Sequence, residues 1–230
     1  MKTLGLIGGM SWESTVPYYR TINQTVKEQL GGLHSARLLL YSVDFAQIEK
    51  LQHAGDWDAA GAVLADAARS LKAGGAQLLV ICTNTMHKVA DAVEAASGLP
   101  LLHIADPTGD AIRAHGFTRI GLLGTRFTME QDFYRLRLIE RHGLEVLVPD
   151  ADERDIVHRV IYDELCRGVI REESRAQYRR VMASLVARGA QGIILGCTEI
   201  GLLVGEGDAS VPLFDTTALH ARAAALAALA

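Results

Sequence analysis

At 230 residues, 49% of them hydrophobic and 22% charged, the chain has enough material for one large domain or two of roughly 100 residues each. Its formal net charge of −4, with no lysine/arginine block and no basic stretch interleaved with aromatics, gives no footprint for nucleic acid. No apolar run approaches the ~20 residues of a membrane span. Cys82, Cys166 and Cys197 show neither CxxC nor Cys/His ligand spacing, which sets aside a disulfide framework and a structural metal site.

The first run, MKTLGLIGGM, is too short for a signal segment and leads into SWESTVPYYR without a small-residue cleavage site, so a soluble cytoplasmic protein is expected. Apolar runs of strand length follow in order at 3–8, 36–43, 77–82, 101–105, 119–124, 145–148, 192–196 and 212–214. Longer amphipathic stretches separate them. The stretch 56–75 is representative: Asp56 or Asp58 can cap its start, and the Gly74–Gly75 pair ends it. The rhythm predicts an α/β fold with two mainly parallel sheets flanked by helices.

The strands fall into two similar sets. LGLIGG at 4–9 matches IGLLGT at 120–125, the glycine-alanine-glutamine starts at Gly75 and Gly189 match, and LPLL at 99–102 matches VPLF at 211–214. The order is the same and the offset nearly constant, which predicts a duplicated half and hence two pseudo-symmetric domains. In this alignment Cys197 corresponds to Thr83, and Cys82 to Gly196. Successive strand residues point to opposite faces, so Cys82 and Thr83 cannot both face one site if the strand runs through them.

Ligands of open α/β sheets bind beyond the carboxyl ends of strands, where Gly8-Gly9-Met10-Ser11, Thr83-Asn84-Thr85, Gly124-Thr125 and Cys197-Thr198-Glu199 all lie. Glycine turns can bring backbone N–H groups to a bound anion, and a carboxylate suits the short hydroxyl and amide side chains. The alternative is that the glycines only make tight turns. Neither GLIGGM nor GLLGTR completes a dinucleotide fingerprint, and no GxxxxGK[ST] is present. A cysteine at a helix N-terminus has its thiolate favoured, which is the expectation for Cys197.

GLIGGMSWEST at 5–15, CTNTMH at 82–87, LLGT at 122–125 and GCTE at 196–199, in this order, resemble the cofactor-independent aspartate/glutamate racemases. The resemblance is greatest to the bacterial L-aspartate/glutamate-specific racemases with a threonine/cysteine catalytic pair. It implies an active site in the cleft between two domains, with 1–98 plus 210–230 forming the first and 99–209 the second, and a homodimer. It also implies an acidic amino acid as substrate, no cofactor, and neither nucleic acid nor membrane as partner. Cys197 is then the thiolate base. Thr83 stands where typical members have their other cysteine, as a proton donor or relay, because a threonine hydroxyl is a poor base near neutral pH. Family precedent sets the second-half cysteine against the hydrogen of the L enantiomer.

The substrate-binding positions are then Met10, Gln52, Asn84, Thr85, Thr125 and Thr198, with Thr128 a further candidate; helix capping is an alternative for Asn84, Thr85 and Thr198. Gln52 is expected in a loop over the substrate, where it and Lys50 compete for the distal carboxylate. Cys166 and Arg167 stand where some aspartate racemases supply a lysine. His87 either assists Thr83 or packs, and Glu199 either binds the substrate ammonium or stabilises a helix start. Related isomerases and decarboxylases keep the fold, and a two-lobed amino-acid-binding protein is the alternative outside enzymes.

Overall fold

All eight expected strands form. The computed structural model describes Met1–Ala230, with β1 Leu4–Gly8, β2 Leu38–Ser42, β3 Leu78–Ile81, β4 Leu101–Leu102, β5 Arg119–Gly124, β6 Glu145–Leu147, β7 Ile193–Gly196 and β8 Leu213–Asp215. They make two four-stranded sheets ordered β2-β1-β3-β4 and β6-β5-β7-β8, and every pairing is parallel. Helices connect consecutive strands, as parallel pairing requires. No helix is long and apolar enough to cross a membrane.

The identical strand order confirms the duplication, and hydrogen bonds repeat it atom for atom. Gln77 N–H donates to Thr3 O at 2.8 Å and Gln191 N–H to Arg119 O at 3.0 Å. The side chains reciprocate: Gln77 Oε1 accepts from Thr3 N–H at 3.0 Å, and Gln191 Oε1 from Arg119 N–H at 3.0 Å. Leu79 N–H reaches Pro100 O and Ile193 N–H reaches Pro212 O, each at 2.9 Å. Gly75 and Gly189, which start the third strand segment of each half, share a φ of 97°, a conformation that a side chain would oppose.

The chain divides into two compact units, Met1–Ile104 with His220–Ala230, and Ala105–Leu219. These borders differ from the expected 98/99 and 209/210. The reason lies in strand pairing: β4 bonds to β3 and stays with the first sheet, while β8 bonds to β7 and stays with the second. Only the last helix segment returns to the first unit.

In that unit the first sheet is buried on both faces, and the period of two sorts its side chains. Leu4, Leu6, Leu78 and Val80 face Tyr18, Ile22 and Val26 of the helix Trp12–Leu30 together with Ala221, Ala224, Ala225 and Ala228 of Thr216–Leu229. Ile7, Leu79 and Ile81 face Leu64, Ala67, Ala68 and Leu71 of Trp57–Ala73. Asp56 caps this last helix by accepting from Ala59 N–H at 3.0 Å, and Gly74 ends it.

Candidate active site

In the first unit, β3 stops at Ile81, and Cys82 continues the parity of Leu78 and Val80 into the apolar cluster beneath the helices. It has no exposed surface, and burial pushes its thiol pKa far above the usual cysteine range. Cys82 is a packed hydrophobe. Thr83 escapes that face and keeps 8% exposure.

Asn84 and Thr85 are buried after it, and Thr85–Val89 forms a 3₁₀ turn. The Asn84 side chain makes no capping hydrogen bond, which removes the capping alternative for that residue. His87 Nδ1 lies 2.7 Å from Thr83 O, and His87 Nε2 lies 3.1 Å from Ile104 N.

The β1 end differs from expectation. Gly9 N–H is taken by Thr15 Oγ1 at 2.9 Å, and Thr15 Oγ1 in turn donates to Ser11 O. A Cβ on Gly9, whose φ is 89°, would lie 2.4 Å from Val43 O. This glycine is therefore required by close backbone packing, and its N–H serves the turn. Met10 is a member of the apolar core alongside Ile48 and Met86.

Gln52 is also placed differently. It lies within the helix Phe45–Ala54, capped by Asp44, and not in a loop. It is buried, and its Nε2 donates to Met86 Sδ at 3.1 Å, one residue beyond Thr85. Lys50 is exposed on the same helix.

In the second unit, Thr125 caps the helix Arg126–Glu130, accepting from Thr128 N–H at 3.3 Å, and its hydroxyl meets that of Thr128 at 3.2 Å. At the β7 end, Cys197 Sγ donates to Glu199 Oε2 at 2.9 Å, and Thr198 Oγ1 donates to the same oxygen at 3.0 Å. All three side chains are buried, with Cys197 at 8% exposure, the same as Thr83.

This arrangement reverses the expected electrostatics of Cys197. Its pKa is raised well above the ordinary thiol value, chiefly by burial, then by the Glu199 carboxylate and Cys166, with the bond to Glu199 adding to the effect. The helix that follows, Ile200–Leu203, is a single turn with little dipole to offer. At rest Cys197 is a thiol hydrogen-bonded to a carboxylate.

Cys166 sits in the turn Leu165–Arg167, its pKa raised by burial and by Glu199, while Arg167 is exposed. Tyr178 joins this neighbourhood without having stood out in the sequence. It is fully buried, donates to Val157 O at 3.0 Å, and its phenol pKa is raised, chiefly by burial. Glu164 accepts from Ser174 Oγ at 2.6 Å. Tyr178 occupies an ordinary core position of the helix Glu172–Ala187, so no local signal distinguished it.

Two parallel sheets share one strand order, with Thr83 shortly after the end of β3 and Cys197 directly after the end of β7, which defines a duplicated α/β protein. The Asp/Glu/hydantoin racemase family model matches residues 7–224. The chain belongs to that family, and so to the isomerases as an amino-acid racemase.

A Yersinia pestis crystal structure provisionally assigned as an Asp/Glu racemase is 66% identical, with a TM-score of 0.92 and 100% of each chain covered. An aspartate racemase homologue from Pyrococcus horikoshii OT3 is 34% identical over 100% of each chain, with a TM-score of 0.84. The broad specificity amino-acid racemase RacX of Bacillus subtilis (strain 168) is 22% identical, covering 95% of both chains.

Proposed function

We propose that the protein racemises acidic amino acids, L-aspartate or L-glutamate, by removing and returning the Cα proton without a cofactor. Cys197 is the base for the L enantiomer, and Thr83 is the opposing donor or relay. The observation that carries this reading is the Cys197–Glu199 pair at 2.9 Å, at the position equivalent to Thr83 in the duplicated half.

The pair holds one proton and one negative charge between sulfur and carboxylate. Moving the proton from Sγ to Glu199 creates a thiolate without adding buried charge, so the high thiol pKa is compatible with base catalysis. The thiolate takes the Cα proton and Cys197 is again a thiol; the Thr83 hydroxyl protonates the carbanion from the opposite face and regains a proton from solvent, while Glu199 releases to solvent the proton it took from Cys197. Asn84, Thr85, Thr125 and Thr198 supply hydroxyl and amide groups for the substrate's carboxylates, with Met10 and Gln52 supporting the first two. A homodimer in the cytoplasm is part of the same reading, and light scattering of the purified protein tests the dimer.

The deciding experiment incubates L-aspartate and L-glutamate with the enzyme in D2O, followed by NMR and chiral chromatography. Deuterium at Cα together with the D enantiomer is expected. Loss of a carboxyl group, or binding with no label in either amino acid, would replace this reading with a decarboxylase or an amino-acid-binding protein.

A further inference from the structure

Three histidine rings, His87, His103 and His220, are packed together in the core of the first unit. The centroids of His87 and His103 lie 4.5 Å apart, and those of His87 and His220 lie 5.7 Å apart. All three are buried. The hydrogen bonds of two of them fix their tautomers. A backbone N–H can only donate, so His87 Nε2 accepts from Ile104, and Nδ1 must carry the proton that goes to Thr83 O. A backbone carbonyl can only accept, so His220 donates from Nε2 to Leu102 O at 2.9 Å, and its Nδ1 accepts from Tyr18 OH at 2.8 Å.

A neutral imidazole has one lone pair in the ring plane for accepting a proton. In His87 that lone pair is engaged by Ile104 N–H. The ring therefore has no site from which to deprotonate the Thr83 hydroxyl, and its bond to Thr83 is to the backbone.

That bond alone would be unremarkable, because His53 Nδ1 meets Glu49 O at 3.0 Å and His115 Nδ1 meets Ala111 O at 2.9 Å in the same i to i−4 pattern, both in exposed settings. What separates His87 is the second bond. It ties the backbone of Thr83 to Ile104, the last residue of the unit before the chain crosses to the other.

We propose that His87 is a positioning residue for Thr83. Its Nδ1–H pins the Thr83 carbonyl, and its Nε2 anchors that pin to Ile104, so that it governs the Thr83 half of proton transfer and leaves the Cys197 half alone. This inference rests on the proposed racemase reading. It excludes a general-base role for His87 and assigns the ring a mechanical one.

Asn and Gln substitutions separate the two bonds. An Asn side-chain nitrogen falls where His Nδ1 does, and Asn23 Nδ2 already donates to Tyr19 O at 2.8 Å in the same i to i−4 relation. His87→Asn should thus keep the Thr83 bond and lose the Ile104 bond. A Gln side-chain oxygen falls near His Nε2, so His87→Gln should keep the Ile104 bond and lose the Thr83 bond. Each variant loses one buried hydrogen bond, and comparable drops in Tm are expected.

The measurement is the ratio of D-enantiomer formation to same-face deuterium uptake in L-aspartate. His87→Gln should lower it about tenfold or more, because a small misplacement of a reacting group is costly, while His87→Asn stays near the wild-type ratio. Parallel falls of both rates in both variants, or an Asn variant as impaired in ratio as Gln, would overturn the proposal. A second arm, ¹⁵N NMR of the histidine rings in the wild type, needs no substrate. The Nδ1–H tautomer supports the proposal, and an Nε2–H tautomer or a cation at neutral pH defeats it. Absence of any Cα labelling by the wild type would instead defeat the racemase reading, a result the NMR arm distinguishes.

Discussion

The thiol of Cys197 gives its hydrogen bond to Glu199 Oε2 at 2.9 Å, an oxygen that also receives the Thr198 hydroxyl at 3.0 Å. Two donors on one carboxylate oxygen hold that carboxylate in place beside the sulfur. The same charge adds to burial in opposing a free thiolate at Cys197.

Glu199→Gln removes the carboxylate charge that helps raise the Cys197 pKa and the proton acceptor the thiol needs. Alkylation of Cys197 by iodoacetamide should be slow in the wild type until well above the ordinary thiol range, and its midpoint should move to lower pH in the variant. Racemisation should fall about a hundredfold or more despite the more acidic thiol. An unchanged alkylation profile would show that burial alone sets the pKa.

Cys197→Ala should abolish racemisation in both directions, while Cys82→Ala keeps most of it. The latter variant leaves a small gap in the cluster with Val80 and Tyr18 and should lose about 1 kcal/mol of stability, read by chemical denaturation. Equal activity losses in the two variants would contradict the assignment of Thr83 as the partner of Cys197.

Thr83→Cys supplies a second thiol at the position equivalent to Cys197. Reversible steady-state rates are bound by an equilibrium constant of one for free enantiomers, so the informative quantity is deuterium uptake into each starting enantiomer. The wild type should label L substrate readily and D substrate slowly, and the variant should accelerate labelling of the D substrate more. Equal labelling of both enantiomers by the wild type, without prior inversion, would defeat the one-base reading and mean that a neighbour activates Thr83 as a second base.

Activity should survive exhaustive dialysis and EDTA, because the proposed chemistry uses only the thiol, carboxylate and hydroxyl groups of the chain. The check is a racemisation assay before and after treatment. Recovery that depends on added pyridoxal phosphate or a divalent metal would overturn the cofactor-free mechanism.

Within the second unit, Asp106 accepts from Arg137 Nε at 2.6 Å and Nη2 at 2.7 Å, joining the helices Ala105–Ala114 and Asp132–His142. Burial pushes its carboxyl pKa up, but the Arg137 bond and charge, with Arg141 and His142, outweigh it and hold the pKa below the usual value. A depressed folded pKa gives stability that is present above the unfolded value and lost as pH falls through the folded one. Asp106→Asn should therefore cost about 1–3 kcal/mol at neutral pH. The deficit should shrink below pH ~4, the unfolded carboxylate range, in urea titrations across pH. A deficit independent of pH would assign the loss to packing.

Much of the molecule is legible in the chain. Both sheets follow from apolar runs of strand length, since parallel strands buried on both faces need continuous hydrophobicity, and the duplication follows from repeated starts such as Gly75-Ala76-Gln77 and Gly189-Ala190-Gln191. The parity argument that separates Thr83 from Cys82 also rests on strand geometry alone. Tertiary structure decided what depends on neighbours remote in sequence. Gly9 N–H belongs to Thr15, Gln52 lies in a helix against Met86, and His87 is tied to Ile104, each through a contact that no local pattern encodes. The ionisation of Cys197 is the sharpest instance. Sequence placed it before a helix, where a thiolate is favoured, but the folded core buries it beside Glu199, and desolvation together with a neighbouring negative charge outweighs the dipole of a single helical turn.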